Sequence, residues 1–257
     1  MYTNDPSISL GHHLAAVEEI VLAGGTAGPA WAAIKANYDA WEASTGPSML
    51  PLIEAITGEK SVDAKALAAH SVNAHLAAIV ESDYAPKGRL QNAVDAETLV
   101  ALRNAWAAVA QSNFDALAAQ YDKAVAAFVS ACSSAGDPNA SAVDIVSRPK
   151  PEQNAWLELP SLAARIDGAL APLITAGRLA GLDITDTEGI MSLALDSGKA
   201  SAYLIRPLWD TADPRLGRWL ALLDKGVTLR AASLDKWTMT LDEQQSNSIS
   251  VQEFSER

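Results

Sequence analysis

Apolar side chains recur every three or four residues along Asp95–Ala135, a stretch that contains neither proline nor glycine. The positions that carry this period are Leu99, Leu102, Trp106, Val109, Leu117, Tyr121, Val125, Phe128 and Cys132. Their spacing predicts one continuous helix with a single apolar stripe, about 60 Å long at 1.5 Å per residue. Asp95 is a suitable N-cap, and Gly136 begins a stop signal at the other end.

Alanine fills most other positions of this predicted helix, which favours the helical state and lets neighbouring helices approach closely. The helix could be the centre of a monomeric bundle, or it could outgrow its own domain and pack against other subunits. A domain of this size rarely needs a core helix about 60 Å long, so the second alternative has support. Leu117, Tyr121 and Phe128 are therefore candidate subunit contacts.

Four shorter helices are predicted before the long one, from helical spacing and from glycine and proline breaks. They span residues 8–23, 29–41, 50–56 and 61–82. Pro86 and Gly88 are expected to turn the chain into the long helix.

Small polar residues and three prolines over 136–155 predict a linker. Beyond it we expect a helix over Leu159–Leu182, another over Thr187–Ile205, and a compact one that ends at Gly226. These form a second group of shorter helices.

After Gly226 the apolar period shortens from about 3.6 to about 2. Val227 and Leu229 alternate with polar residues, and so do Trp237, Met239 and Leu241 and then Ile249 and Val251. The pattern predicts a small C-terminal β-hairpin or meander, which would have to lie on the helices or extend a neighbour's sheet.

The predicted fold class is therefore mainly α, a helical bundle built on one long central helix at about 95–135. A second group of shorter helices and a small β element complete it. The expected segments are an N-terminal bundle over 1–135, a linker over 136–155, a helical subdomain over 156–226 and a β element with its tail over 227–257.

Composition narrows the function classes. The 257 residues are 49% hydrophobic and carry a net charge of −12, from 19 basic and 31 acidic residues. This acidity argues against direct nucleic-acid binding, and no apolar run approaches the length of a membrane span. The N-terminus lacks the features of a signal peptide, and the single cysteine excludes an internal disulfide. We expect a cytoplasmic or virion location.

The histidines do not predict a metal site. His70 and His75 are five residues apart, about 140° around a helix, which is a poor arrangement for one metal ion. His12 and His13 are adjacent and cannot share a helix face. We predict neither a metal nor a cofactor.

Three other motifs have structural explanations. The glycine-rich segment Ala23–Pro29 lacks the lysine of a P-loop and fits a helix stop followed by a helix start. Ser233 and Lys236 have S-x-x-K spacing without the companion motifs of serine acyl-transfer enzymes. Cys132 lies on the apolar stripe, where a buried cysteine acts as a small hydrophobe. No catalytic residue is predicted.

The tryptophans suggest where partners could bind. Trp156, Trp209 and Trp237 lie near breaks or strand edges, where tryptophan often anchors an interface, although core packing is the commoner role. With Met239 and Leu241 they complete the set of candidate interface residues.

We therefore expect a non-enzymatic structural or assembly protein, a homo-oligomer or a subunit of a larger complex. A bacteriophage virion or capsid-associated role would suit the long helix and the acidity. One alternative is a helical-bundle enzyme or small-ligand binder whose site is dispersed over several helices. Another is a monomeric adaptor or regulator. The expected partners are proteins, with no nucleic acid, membrane or identified small molecule.

Overall fold

The structure is a computed structural model that describes residues 9–42, 50–57, 63–81, 86–196, 202–210 and 215–234. Over these residues the chain is mainly α, as predicted, with one long central helix and a small two-stranded antiparallel sheet. The described elements are α1 (Leu10–Leu22), α2 (Pro29–Glu42), α3 (Leu50–Thr57), α4 (Ala64–Glu81), α5 (Pro86–Ser134), α6 (Ala142–Val146), α7 (Lys150–Leu179), α8 (Thr187–Ala194), β1 (Leu195–Asp196), α9 (Ala202–Trp209), α10 (Trp219–Asp224) and β2 (Thr228–Leu229).

The long helix α5 contains 49 residues and begins nine positions before the predicted start. Pro86 is its first residue, a position where proline costs nothing because that backbone N–H has no helical partner. The expectation that Pro86 and Gly88 turn the chain was therefore wrong, and Asp95 lies inside the helix rather than at its cap. The predicted stop is confirmed, because Gly136 follows the helix with a φ of 70°, in the left-handed region that glycine tolerates.

The predicted linker over 136–155 contains helical structure. Ser141 caps α6 by accepting a hydrogen bond from the Asp144 N–H, and α7 begins at Lys150. Two prolines lie near this start, and proline fits the first turn of a helix. The composition of 136–155 had suggested irregular structure there. Helix α7 therefore begins nine residues before the predicted Leu159.

The prediction of one helix over Thr187–Ile205 was wrong. The chain there forms α8 and then β1, whose residues Leu195 and Asp196 pair antiparallel with Leu229 and Thr228 of β2. The strand expected after Gly226 is confirmed, and among the described residues it pairs with β1, which lies far earlier in the chain. The strand positions from Trp237 to Val251 lie outside the described residues.

The chain forms two compact units, which differ from the predicted segments. Among the described residues, one unit comprises Leu14–Ala27 and the residues from Ala107 onward, and the other comprises those of 9–13 and of Gly28–Trp106. The boundary thus runs through α5, and residues 136–155 lie within the first unit.

In the first unit, the apolar stripe of α5 is a core. Phe114, Leu117, Tyr121 and Phe128 are almost fully buried, and α5 packs against α7. Tyr121 and Asp122 also form hydrogen bonds with the backbone next to the two strands. The Tyr121 hydroxyl donates to the Ala194 carbonyl at 2.9 Å, and the Asp122 carboxylate accepts from the Ala231 N–H at 2.8 Å. The long helix therefore fixes the position of β1 and β2.

Candidate functional site

Most of the predicted interface residues that the structure describes lie in the core. The exposed fraction is 1% for Leu117 and 0% for Tyr121 and Phe128, and Trp209 is also buried. The same polypeptide covers these side chains, so the expectation that they contact a second subunit is corrected: on this folded protomer they are not available. The apolar stripe correctly indicated that these side chains are buried, and it is the same chain that buries them.

Trp156 is half-buried and has contacts within its own chain. Its indole N–H donates to the Ala140 carbonyl at 3.1 Å, and the Arg215 guanidinium lies 4.0 Å from its ring centroid. Arg215 in turn donates to the Pro138 carbonyl. Trp156 therefore anchors the loop that follows α5. Trp237, Met239 and Leu241 lie outside the described residues.

An aromatic cluster surrounds Tyr121. Its ring meets that of Trp219 edge to face at 6.4 Å, and Trp219 meets Trp209 in the same way at 5.7 Å. Burial, with Asp122 and Asp167 nearby, raises the pKa of Tyr121 far above its usual range. The phenol therefore stays protonated and serves as a structural hydrogen-bond donor.

The residues considered for chemistry are not brought together. Cys132 is half-buried, less than predicted, and burial raises the pKa of its thiol to about 11, so it carries no reactive thiolate at neutral pH. Among the described residues no three potential metal ligands form a group, and no helix has the length and apolarity that a membrane crossing requires. Ser233 is exposed, whereas Lys236 lies outside the described part of the chain.

The glycine-rich segment Ala23–Pro29 joins α1 to α2, as predicted. Sequence reasoning missed what holds it in place. The buried Asn113 side chain accepts from the Thr26 N–H and donates to the Thr26 carbonyl, both at 2.8 Å, and Gln120 donates to the Ala23 carbonyl. The loop backbone is therefore fastened to α5 by the side chains of Asn113 and Gln120.

His13 is buried in the second unit and accepts a hydrogen bond at Nε2 from the Trp31 indole N–H, at 3.3 Å. Burial, and secondarily the positive charge of Arg103, lowers the pKa of His13 from 6.5 to about 4. The imidazole is thus neutral at pH 7 and acts as an acceptor in the core.

This burial predicts a pH-dependent stability. Below pH 6.5 the unfolded chain binds a proton that the folded chain does not accept until about pH 4, so stability from neutral His13 is lost as the pH falls between these values. We expect the wild type to lose as much as about 3 kcal/mol more than a His13→Gln variant over this range. Urea unfolding of both proteins at several pH values measures the difference. Equal losses of unfolding free energy in the two proteins would contradict the assignment of this pH dependence to His13.

An open groove of about 340 Å³ lies between α2 and the N-terminal part of α5, within the second unit. The described residues that line it are Ile34, Asn37, Tyr38, Trp41, Val94, Glu97, Thr98 and Ala101. The helical spacing of Ile34, Tyr38 and Trp41 was visible in the sequence, but it indicated only a core face. The facing residues on α5 were not recognised, because their partner helix could not be known.

Three exposed apolar side chains lie on α6 and on the nearby part of α7. Val143 and Val146 on α6 are 83% and 73% exposed, and Leu157 on α7 is 66% exposed. We call these three residues the α6–α7 surface. Ile145 faces inward from the same short helix and holds it against the protein.

Side-chain hydrogen bonds and ion pairs connect α6 to the start of α7, beside the α6–α7 surface. The Gln153 side-chain amide donates to the carbonyls of Val146 and Arg148, at 2.9 and 2.7 Å. Arg148 pairs with Asp137 and Glu152, each at 3.6 Å. These contacts fix the connection between α6 and α7, the two helices that carry the exposed apolar residues.

Comparison with known proteins gives no assignment. No family model, curated protein or solved structure matches this chain.

Proposed function

We propose that the protein is a non-enzymatic structural or assembly subunit of a larger complex and that it associates through the α6–α7 surface. The observation that carries this proposal is the exposure of three apolar side chains, Val143 and Val146 on α6 and Leu157 on α7, two helices that a Gln153–Val146 hydrogen bond joins. Apolar side chains gathered on a fixed surface are typical of protein contacts, because association removes them from water at little cost in ordering.

The charge of the chain sets a condition for self-association. With a net charge of −12, two copies repel each other at low ionic strength, and salt screens this repulsion. A homo-oligomer formed through an apolar patch should therefore become more stable as salt is added. This salt dependence distinguishes it from an assembly held by ion pairs.

The finer form of the proposal is a bacteriophage virion or capsid-associated protein. The support for it is the architecture of the protomer, a long alanine-rich helix that forms a fixed core and leaves the α6–α7 surface for contacts with other chains.

Sedimentation velocity over a micromolar concentration series tests the association. We expect wild-type protein to form oligomers at moderate salt, and a double variant, Val146→Glu with Leu157→Glu, to remain a folded monomer. Buried in an interface, each added carboxylate would cost several kcal/mol. Ala164→Glu with Ala171→Glu is the matched control, because it adds the same charge at exposed positions of α7. Wild-type protein that stays monomeric at every salt concentration would refute self-assembly, and equal losses in both double variants would refute the surface.

A further inference from the structure

The groove between α2 and α5 is lined by one face of each helix. Its lining residues on α2 are Ile34, Asn37, Tyr38 and Trp41, and those on α5 are Val94, Glu97, Thr98 and Ala101. Each set follows the spacing i, i+3, i+4, i+7, so each lies on one face of its helix. Two such faces side by side extend over about 10 Å, or two helical turns.

The walls of this groove combine apolar and aromatic surface. Ile34, Val94 and Ala101 contribute aliphatic contacts, and the rings of Tyr38 and Trp41 lie 5.7 Å apart at an angle of 45°. Two tilted aromatic rings present both apolar area and electron-rich faces, which attract cationic side chains as well as aliphatic ones.

The groove is also acidic. The Tyr38 hydroxyl lies 2.8 Å from an Asp95 carboxylate oxygen and 2.9 Å from one of Glu42, and its single proton can be donated to only one of them at a time. Burial, and secondarily these two carboxylates, raises the pKa of Tyr38 well above its usual range. Two carboxylates thus lie beside the hydroxyl of a residue that lines the groove.

Glu97, one of the lining residues, supplies a third carboxylate. Glu97 is exposed, and none of the described side chains that line the groove is basic. On the neighbouring turn of α2, Lys35 is engaged by Asp39 at 2.6 Å. A ligand that enters the groove therefore contacts apolar walls and the Glu97 carboxylate.

We propose that this groove receives an amphipathic helix of another protein, whose apolar residues contact the walls and whose lysine or arginine pairs with Glu97. This goes beyond the proposed assembly function, because it assigns a second contact surface in the other compact unit and a partner of defined chemistry. Docking of an amphipathic helix into a groove between two helices is a common recognition mode, and charge complementarity sets its orientation.

Charge also decides against two other occupants. A second copy of this chain would bring another net charge of −12 to an acidic groove. Residues 235–257 of the same chain contain five acidic and two basic residues, so they too are repelled. A basic helix from a different protein is the occupant that the groove complements.

The test uses fluorescein-labelled helical peptides with leucines at i, i+3 and i+7 and two lysines at the positions that would face Glu97. Three peptides that differ in the spacing of lysine from leucine form the panel, and glutamate versions of each serve as charge-inverted controls. Fluorescence anisotropy with the full-length protein measures affinity. We expect at least one lysine peptide to bind, with an affinity that falls as salt rises, and its glutamate version to bind at least about tenfold more weakly.

Two charge-reversal variants locate the site. Glu97→Lys should weaken the best lysine peptide at least about tenfold, whereas Asp115→Lys, at an exposed position of the same helix outside the groove, should change affinity by less than about twofold. Circular dichroism of both variants confirms that they fold. Equal losses in the two variants would show generic attraction to an acidic protein and would overturn the proposal. So would absence of binding at about 1 mM peptide, or tighter binding of an unlabelled 235–257 peptide.

Discussion

Replacing Phe128 with glutamate should leave almost no folded protein at room temperature. Phe128 is fully buried on the α5 stripe, where a carboxylate would be removed from water without a partner while the volume of the ring is lost. Loss of the ring alone costs about 3–5 kcal/mol, and the buried charge adds several more, which together approach the whole stability of a typical domain. Circular dichroism and size-exclusion chromatography measure the outcome.

Ala126→Glu is the matched control for this substitution. Ala126 lies on the exposed side of α5, two residues from Phe128, so a glutamate there remains in water and should change stability by less than about 1 kcal/mol. A folded Phe128→Glu protein that only failed to associate would mean that the stripe belongs to a subunit contact. The same comparison applies to Leu117, with Ala116 as its exposed control.

The second large effect is expected at Gly25, in the loop that Asn113 fastens to α5. A Cβ at this position would lie 2.5 Å from Ile20 Cγ2, 2.8 Å from Asn113 Oδ1 and 3.0 Å from the Ile20 carbonyl oxygen. The loop would have to move away, which would break the hydrogen bonds between Asn113 and Thr26. We expect Gly25→Ala to lower the free energy of unfolding by about 2–4 kcal/mol.

Gly168→Ala should instead raise the free energy of unfolding. Gly168 lies within α7, and a Cβ there would meet no atom within 4 Å, so alanine would gain helix propensity without a clash. We expect stabilisation of about 0.5–1 kcal/mol. Urea unfolding of both variants measures the pair. A neutral Gly25→Ala would mean that the loop is not held tightly against Asn113.

The sequence predicted the helices well because their apolar periods are local. It predicted the start of α5 poorly, since Pro86 and Gly88 are breakers inside a helix but are tolerated in its first turn. The same ambiguity concealed the start of α7, where prolines near Lys150 suggested a linker. At both helices the error concerned a boundary and not the type of element.

The sheet could be predicted only in part. The alternation at Val227 and Leu229 revealed a strand, but pairing of β2 with Leu195 depends on the hydrogen bonds that Tyr121 and Asp122 make from α5. Such long-range contacts leave no periodic signal. The short strand β1 was therefore absorbed into a predicted helix.

The candidate sites were the least predictable feature. A stripe such as that of Leu117 and Phe128 indicates that side chains will be buried, but not whether the same chain or another one covers them. The groove and the α6–α7 surface depend on which faces remain uncovered after folding. Neither could be located before the positions of α2, α6 and α7 were known.

We propose that the long helix is covered by its own protomer and that association uses a different surface. Hydrogen–deuterium exchange of the protein, first as a dilute monomer and then under associating conditions, tests this claim most directly. We predict that amides over 107–134 exchange slowly even in the monomer, and that association newly protects residues 142–157. Fast exchange over 107–134 in the monomer, slowed only by association, would contradict the account.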